Sequence, residues 1–496
     1  MFEHIVAAFG LVATFETILA LAVGVAVGVV LGAVPGMTAT MAVGLTLPFT
    51  FLLQPVTGIL LLLGVYKGGI YGGSIPAILI KTPGTPASSC TVLDGYPMAQ
   101  KGQAGRALDM ALYASCTADL ISNLSLILFA AWLAQIALAF GPPEYFTLIV
   151  FSLTIIAGVA GDDLVKGCVS AALGLILATI GLDLIFGTDR FVFGNTSLMS
   201  GLNFIPVLIG LFALPEVIDY FGRKASARVK VSSVGGTHAS WADYKRCLPT
   251  IIKSSFIGVL MGAIPGIGGA PSAFLAYSEA RRTAKNRHEF GKGAIEGVAA
   301  SEAGNNGVAG ATMIPLLALG IPGDVITAVI LGAFMIHGLQ PGPVMFQNNL
   351  TMIYALFIGI MASSVFLFII GKIGIRMFRR IADIPKSLMF PMVLVLCIFG
   401  SYAINNSMFD IAVMLATGFL GYFMLRFGIP AAPFLIAFIL GPILENTFRQ
   451  SLLMGGGDYT IFFRSTINWI FWALTVGSLV LIIYQTVIKR RPIPVG

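Results

Sequence analysis

Charged side chains are scarce in this 496-residue chain, where Asp, Glu, Lys and Arg make up 10% of the residues. Soluble globular proteins carry roughly 25%. Several long stretches contain none of the four, and each exceeds the roughly 20 apolar residues that cross a bilayer as a helix. They are residues 17–66, 121–143, 191–215, 254–278, 325–371, 387–409 and 465–488. This shortage of charge excludes a soluble protein.

The long apolar stretches predict an all-α polytopic membrane protein with about ten to fourteen membrane segments. Short alternating strands, which are typical of a transmembrane β-barrel, are missing from the sequence. Cysteine is also scarce: the five cysteines are far apart and form no C-x-x-C pair, which excludes a disulfide framework and the common zinc or iron–sulfur motifs. The first apolar run follows Glu3 and His4 and no Lys or Arg, so a cleavable signal peptide is not predicted.

Enzyme motifs are missing as well. The chain has no G-x-x-x-x-G-K-[ST] phosphate loop, which argues against ATP as a direct energy source, and its four histidines lie outside any H-E-x-x-H or G-x-S-x-G context. No cofactor or metal site is predicted. An intramembrane enzyme stays an alternative, with Asp162 and Asp163 as the nearest pair of carboxylates, although the neighbouring Lys166 favours a solvated loop. An anion channel is a second alternative.

Positive charge is present but concentrated. The net charge is +7, and most Lys and Arg residues fall in four short hydrophilic patches, 223–253, 281–292, 372–386 and 489–491. Basic loops between membrane segments stay on the cytoplasmic side during insertion. They therefore predict orientation and contact with anionic membrane lipid, rather than nucleic-acid binding.

An internal repeat is the strongest pattern in the sequence. Residues 28–37 (GVVLGAVPGM) return as 258–267 (GVLMGAIPGI), and 69–76 (GIYGGSIP) return as 307–315 (GVAGATMIP). The TPGT sequence at 82–85 is matched by IPGD at 321–324 in the same order. Two copies of one membrane unit are therefore predicted.

Equivalent loops of the two copies carry opposite charge patterns, which predicts inverted repeats. Basic loops 281–292, 101–106, 376–386 and the loop at Lys166 correspond to 52–55, 337–343, 141–144 and 402–407, which carry no Lys or Arg. The predicted division is repeat 1 at 1–222, a basic cytoplasmic linker at 223–249, repeat 2 at 250–460, and a further transmembrane helix with a basic tail at 461–496. The N-terminus is then periplasmic and the C-terminus cytoplasmic.

Each copy contains two Pro-Gly pairs within apolar sequence: Pro35-Gly36 and Pro83-Gly84, then Pro265-Gly266 and Pro322-Gly323. Proline removes a backbone donor and glycine tolerates unusual dihedral angles, so each pair predicts a broken or re-entrant helix rather than a simple kink. Irregular backbone at membrane depth is tolerated where it is buried in protein or lines a wet cavity. Matching breaks in two repeats therefore predict a substrate site.

Hydroxyl and amide side chains accompany these breaks, and helix starts carry partial positive charge, which together suit a carboxylate. The predicted substrate-binding residues are Pro35, Gly36, Thr38, Thr40, Thr82, Pro83, Gly84, Thr85, Ser88, Ser89, Pro265, Gly266, Gly268, Asn305, Asn306, Pro322 and Gly323. Lys81 either adds a full charge or reaches to the membrane surface. Glu302 and Asp324 are candidates for binding a coupling ion, Na⁺ or H⁺. Asp324 could equally cap the helix that follows Gly323.

Five segments resemble the signature of the large membrane subunit of tripartite tricarboxylate transporters, the TctA type: 71–74 (YGGS), 82–89 (TPGTPASS), 94–98 (DGYPM), 301–306 (SEAGNN) and 319–323 (LGIPG). The form NTPGTP that is associated with this family is here KTPGTP from Lys81, which leaves the substrate preference at that position open. The resemblance implies a permease of the bacterial inner membrane that works with a small four-helix membrane subunit (TctB-type) and a periplasmic solute-binding protein (TctC-type). It also implies secondary transport of citrate-like or other organic carboxylates.

The predicted mechanism is alternating access, in which substrate and coupling ion bind between the two sets of helix breaks and are then exposed inside. The breaks cluster in the first third of each copy, which favours an elevator motion over rocking of the repeats. The later helices would then form a scaffold. Which carboxylate is carried and which ion is coupled cannot be deduced from the sequence.

Overall fold

The computed structural model describes residues 2–34, 36–159, 163–183, 187–222, 237–382 and 386–484. Within these ranges the chain is helical or loop, apart from a short antiparallel ribbon that pairs Gly181–Leu182 with Asp189–Arg190. In the described part of the chain, six helices are long and apolar enough to cross a membrane, and seven shorter helices are apolar as well. The prediction of an all-α polytopic membrane protein is confirmed.

The first half of the chain forms ten α-helices within its described residues. They are α1 (Phe2–Val12), α2 (Phe15–Gly32), α3 (Ala39–Thr46), α4 (Pro55–Gly72), α5 (Ser74–Ile80), α6 (Ser88–Gln100), α7 (Ala104–Ala137), α8 (Pro142–Val159), α9 (Leu164–Ala178) and α10 (Phe204–Gly222). A 3₁₀ turn, Leu47–Leu52, continues α3.

The second half repeats this order. Its helices are α11 (Trp241–Ala263), α12 (Gly269–Thr283), α13 (Ile295–Ala311), α14 (Met313–Leu319), α15 (Val325–Ile336), α16 (Pro343–Asn348), α17 (Leu350–Ala382), α18 (Lys386–Asn405), α19 (Met408–Phe427), α20 (Ala431–Met454) and α21 (Thr466–Ile483). If the short α16 is set aside, α2 to α10 correspond one for one in order to α11 to α20.

Helix packing follows the same correspondence. The α2 helix packs along α4, as α11 packs along α13, and α9 packs on α20 as α19 packs on α10. The α7 helix contacts α13, and its counterpart α17 contacts α4. Equivalent helices thus make equivalent contacts, which supports the repeat. The inversion of the two copies across a membrane stays a prediction.

The contact between α2 and α4 depends on glycine. A Cβ atom placed on Gly24, Gly28 or Gly32 of α2 would collide with the α4 backbone, at the carbonyl oxygens of Leu61, Val65 and Gly69 respectively. On α4, Gly64, Gly68 and Gly72 meet the α2 backbone in return. Small residues let membrane helices approach closely, where dispersion contacts replace the missing hydrophobic driving force. These two helices therefore form one tightly packed unit.

Helices end at all four predicted breaks. The chain leaves helical geometry between α2 and α3, between α5 and α6, between α11 and α12, and between α14 and α15. Gly36, Gly266 and Gly268 have φ values of 95°, 89° and 68°, in the left-handed region that glycine adopts without strain. Pro35, Asp162, residues 223–236 of the predicted linker and the basic tail at 489–491 lie outside the described residues.

Candidate functional site

Four helix starts from both repeats meet around one cavity of about 280 Å³. Its wall includes the first residues of α3, α12 and α15 and residues 85–87, which lead directly into α6, together with side chains from α4 and α13. In the described chain the polar side chains of the wall are Thr38, Thr40, Tyr66, Thr85, Asn305 and Asp324. Because the backbone N–H groups of a helix's first turn have no partner within the helix, they form a ready-made site for an anion.

The local sequence explains why each helix begins here. Thr38 Oγ1 accepts a hydrogen bond from the Met41 amide at 3.2 Å, which caps α3. The α12 helix starts after Gly268, whose positive φ turns the chain into it. At the start of α6, the hydroxyl oxygens of Thr85 and Ser88 lie 2.6 Å apart. Gly266 N donates to Gly323 O at 2.7 Å and so joins the two breaks of the second repeat.

Asn305 presents an unused donor to this cavity. Its side chain is 3% exposed, and its Nδ2 atom has no hydrogen-bond partner in the described structure. A buried amide donor without a partner costs about 1–3 kcal/mol. The neighbouring Gly269 leaves space for this amide, because a Cβ there would lie 2.5 Å from Asn305 Oδ1. A ligand with an acceptor oxygen in the cavity would satisfy the donor.

Asp324 caps α15, which was one of the two interpretations left open by the sequence. Its Oδ1 accepts from Thr327 N at 2.7 Å and from Thr327 Oγ1 at 2.8 Å, and Thr327 Oγ1 in turn accepts from Asp324 N. Its Oδ2 accepts a hydrogen bond from Tyr66 Oη at 3.0 Å. Among the described wall residues Asp324 carries the charge, and no Lys, Arg or His side chain accompanies it.

Glu302 lies one helical turn from Asn305 on α13 and is completely buried outside the cavity wall. Its Oε2 is 2.9 Å from Ser74 Oγ and 3.0 Å from Ser115 Oγ, and its Oε1 accepts from Thr91 Oγ1. Asn306 belongs to this second cluster, since its Nδ2 donates to Ser115 Oγ at 2.8 Å and to the Glu302 carbonyl at 3.1 Å. The carboxylate therefore joins α13 to the α4–α5 junction, α6 and α7.

The predicted substrate-binding residues divide into two groups. Those that line the cavity are Thr38, Thr40, Thr85, Gly266, Gly268 and Asn305. Described residues that lie near it but outside its wall are Gly36, Thr82, Pro83, Gly84, Ser88, Ser89, Pro265, Asn306, Pro322 and Gly323. Lys81 also lies outside the wall: it is exposed, and its ammonium is 6.0 Å from the centre of the Tyr96 ring.

Tyr66, Ser74, Thr91 and Ser115 contribute to these clusters and were not predicted. Only Tyr66 lies in one of the stretches without Asp, Glu, Lys or Arg, so composition offered little signal for the other three. Their partners come from distant parts of the chain, which no local pattern records.

A further buried cluster, separate from that of Glu302, contains an ion pair between Lys67 and Asp119 that was not predicted from the sequence. Lys67 Nζ donates to Asp119 Oδ2 at 2.9 Å, to Asn123 Oδ1 at 3.0 Å and to Ile360 O at 2.8 Å. Both charged side chains are 1% exposed. The three ammonium hydrogens are therefore all used, and the pair is neutral as a whole.

No group of three or more His, Cys, Asp or Glu side chains that could hold a metal ion occurs within the described ranges. The oxygen-rich surroundings of Asp324 and Glu302 are of the kind that hard monovalent cations or protons use.

Comparison with known proteins shows what the chain resembles. The profile of the family described as "Tripartite tricarboxylate transporter TctA family" matches residues 18–436. An "Uncharacterized 52.8 kDa protein in TAR-I ttuC' 3'region" of Agrobacterium vitis is 36% identical over 454 residues, which are 92% of this chain and 90% of that protein. An "Uncharacterized protein in TAR-II ttuC' 3'region" of the same organism is 37% identical over 238 residues, 47% of this chain and 97% of that protein. No solved structure matches the chain significantly.

Proposed function

The chain belongs to the tripartite tricarboxylate transporter TctA family, and we propose from this that it is the large membrane subunit of a binding-protein-dependent importer of organic carboxylates. It is a multi-pass membrane protein of a transporter family. The substrate class, the coupling ion and the type of conformational change belong to the proposal.

The observation that carries the proposal is the meeting of four helix starts and the unpaired Asn305 amide at one cavity. A carboxylate would accept hydrogen bonds from main-chain N–H groups and from this amide, and the four helix dipoles would favour its negative charge. Each repeat contributes two of the four starts, so the site lies where the copies meet. Sites of secondary transporters are built from discontinuous helices in this way.

A coupling cation follows from the charge of the wall. Asp324 is the carboxylate of the wall, and the wall residues in the described ranges include no cationic side chain. An anionic substrate would meet this like charge at low dielectric, so binding with Na⁺ or H⁺ would lower the repulsion. Asp324 and Glu302 are the candidate residues for that ion.

The proposed mechanism is alternating access by an elevator motion. The glycine-packed helices α2 and α4, their counterparts α11 and α13, and the broken helices form the site-bearing unit. The helices from α8 to α10 and from α18 to α20 would form the scaffold against which this unit slides.

Family membership also supports the proposed partners and location. A small four-helix membrane subunit (TctB-type) and a periplasmic solute-binding protein (TctC-type) would complete the transporter in the bacterial inner membrane. The N-terminus would be periplasmic and the C-terminus cytoplasmic. The basic loops would contact anionic lipid.

The test is uptake of a panel of labelled organic acids into proteoliposomes that contain both membrane subunits. The binding protein is added outside, and Na⁺ and pH gradients are imposed separately. We expect saturable uptake of at least one di- or tricarboxylate that needs the binding protein and one of the gradients.

Two results would contradict the proposal. Equal uptake with neither gradient would remove ion coupling, and a steady conductance without saturation would indicate an anion channel. Vesicles with the small subunit alone are the matched control.

A further inference from the structure

We propose that Glu302 is a proton-binding site that is separate from the substrate cavity and carries the coupling proton. The inference rests on the proposed function and adds the identity of the coupling ion. The oxygen–oxygen distances around this carboxyl group indicate which hydroxyl donates its hydrogen to which oxygen.

Ser74 supplies the first step. Its Oγ lies 2.6 Å from the Tyr71 carbonyl oxygen and 2.9 Å from Glu302 Oε2. A hydroxyl group has one hydrogen, so Ser74 can donate to only one of these oxygens. If it donated to Glu302, two lone-pair oxygens would face each other at the carbonyl, which has no hydrogen to supply. The carboxyl group can supply one, so both contacts are satisfied when Glu302 is protonated and donates to Ser74.

The other hydroxyls agree with this arrangement. Ser115 Oγ accepts from Asn306 Nδ2 and uses its own hydrogen toward Glu302 Oε2, and Thr91 Oγ1 donates to Oε1. Each hydrogen then has one acceptor, and each oxygen of the carboxyl group has a partner. The three hydroxyl oxygens lie at hydrogen-bond distance from the carboxyl oxygens, so no metal ion lies between them. This arrangement suits a proton on the carboxyl group.

The surrounding charges do not compensate an ionised carboxylate. Within the described residues Glu302 forms no ion pair, whereas Asp119 on the adjoining α7 is neutralised by Lys67 of α4. The titratable groups that face Glu302 are the Tyr71 phenol of α4 and the Cys90 thiol of α6, and α5 has none. Further along α6, Asp94 is held by the amides of Gly291, Gly293 and Ala294. A buried charge without a partner costs several kcal/mol, which protonation avoids.

The position of Glu302 links its proton to the cavity. Asn305 follows one turn later on α13, and Thr91 lies one turn beyond Ser88, the first residue of α6, which directly follows residues 85–87 of the wall. Loss of the proton would add a negative charge one turn from the substrate and would leave Ser74 with one hydrogen for two acceptor oxygens. Substrate and proton therefore bind with positive cooperativity, and by linkage each raises the affinity for the other.

Infrared difference spectroscopy between acidic and alkaline buffer tests the proton site without any substrate. The purified two-subunit membrane complex in lipid should show the C=O stretching band of a protonated carboxyl group. Glu302→Gln should remove this band. Glu279→Gln is the control, because this carboxylate is paired with Lys253 and Arg282 nearer the surface, and it should leave the band intact. A band that persists in Glu302→Gln would overturn the proposal, and so would a wild-type spectrum without one.

Thr91→Val keeps the test decisive if Glu302→Gln does not fold. This variant removes the hydrogen bond to Oε1, the carbonyl oxygen of the protonated group, and should shift the band to higher frequency. An unshifted band would place the protonated group elsewhere and contradict the assignment.

The transport measurement separates this inference from the proposed function. With an acid from the panel that wild type takes up, we expect its affinity to fall by about tenfold from acidic to alkaline pH. Glu302→Gln should make the affinity independent of pH and abolish accumulation driven by a pH gradient, while exchange of internal for external label continues. If a Na⁺ gradient alone drove accumulation, and Glu302→Gln did not change it, the assignment of the coupling proton to Glu302 would be wrong. The proposed transport function would still hold. If wild type takes up no acid, the proposed function fails, and the infrared band still decides the proton site.

Discussion

Asn305 and Asn306 are neighbours in sequence that have different environments. Asn305 faces the cavity with an unused donor, whereas Asn306 is bonded to Ser115 and to the Glu302 carbonyl. The motif predicted that both amides bind substrate, and no local pattern could distinguish them. Asn306 faces Ser115 of α7, whereas Asn305 lies beside Gly269 at the start of α12.

This difference gives the first prediction. Asn305→Ala should abolish uptake of the transported acid and should not lower the thermal unfolding temperature of the purified protein, because its buried donor has no partner to lose. Asn306→Ala is the matched control and should lower stability by about 1 kcal/mol, since it removes bonds to buried acceptors. Equal uptake by Asn305→Ala and wild type would move the substrate site away from this cavity.

The buried ion pair gives the second prediction. Lys67→Met leaves Asp119 as an unpaired charge and should destabilise the protein by about 3–5 kcal/mol. The double variant Lys67→Met, Asp119→Leu should recover much of this loss, because both charges are then gone. Thermal unfolding of the four members of the cycle measures the coupling. A double variant less stable than Lys67→Met would show that the pair has another role.

Asp324 gives the third prediction. Asp324→Asn keeps an N-cap of similar strength and removes the negative charge from the wall, so it should fold normally and bind the carboxylate substrate more tightly. Asp324→Ala should lose about 1 kcal/mol of stability with the cap. The half-saturation concentration for uptake and the unfolding temperature measure the two effects. Loss of gradient-driven uptake in the well-folded Asp324→Asn would instead show that Asp324 holds the coupling ion.

At the scale of elements, the sequence predicted helix ends better than it predicted contacts. Proline and glycine act locally on the backbone, so the breaks near Gly36, Gly84, Gly266 and Gly323 could be placed from the sequence alone. The polar residues of α7 could not be assigned partners. Ser115, Asp119 and Asn123 lie one turn apart and bind residues of α4, α13 and α17, which depends on how distant helices pack.

The glycine contact between α2 and α4 gives the fourth prediction. Gly28→Ala would place a Cβ against the Val65 carbonyl and force the two helices apart, so the yield of monodisperse protein in detergent should fall sharply. Gly10→Ala in α1 is the control, because its Cβ would meet no atom within 4 Å. If the two variants gave equal yield and equal unfolding temperature, the close approach of these helices would not be required for folding.

At the scale of the whole molecule, the two halves have the same order of helices and equivalent helix contacts. The orientation of the copies still depends on the charges of their loops. Loop charges set the orientation during membrane insertion and not through helix packing, so helix contacts alone do not give the orientation of each copy.

Labelling of single cysteines gives the fifth prediction. The five native cysteines are first replaced, including the exposed Cys168. Lys101→Cys, between α6 and α7, and Gln340→Cys, between α15 and α16, are equivalent and exposed positions. A membrane-impermeant maleimide added to intact spheroplasts should label Gln340→Cys and should reach Lys101→Cys only after lysis. Labelling of both from the same side would contradict inverted repeats.

The hydrogen-bond donors of the described wall are main-chain N–H groups, hydroxyls and one amide, and this affects which solutes the site can bind. A guanidinium fork would fix the angle and separation of two carboxylate oxygens, whereas helix starts attract negative charge over a broad range of positions. The membrane subunit would then discriminate weakly among acids of different length or hydroxylation. The soluble receptor that binds the nutrients first would then determine the specificity. One permease could therefore work with receptors of different specificity.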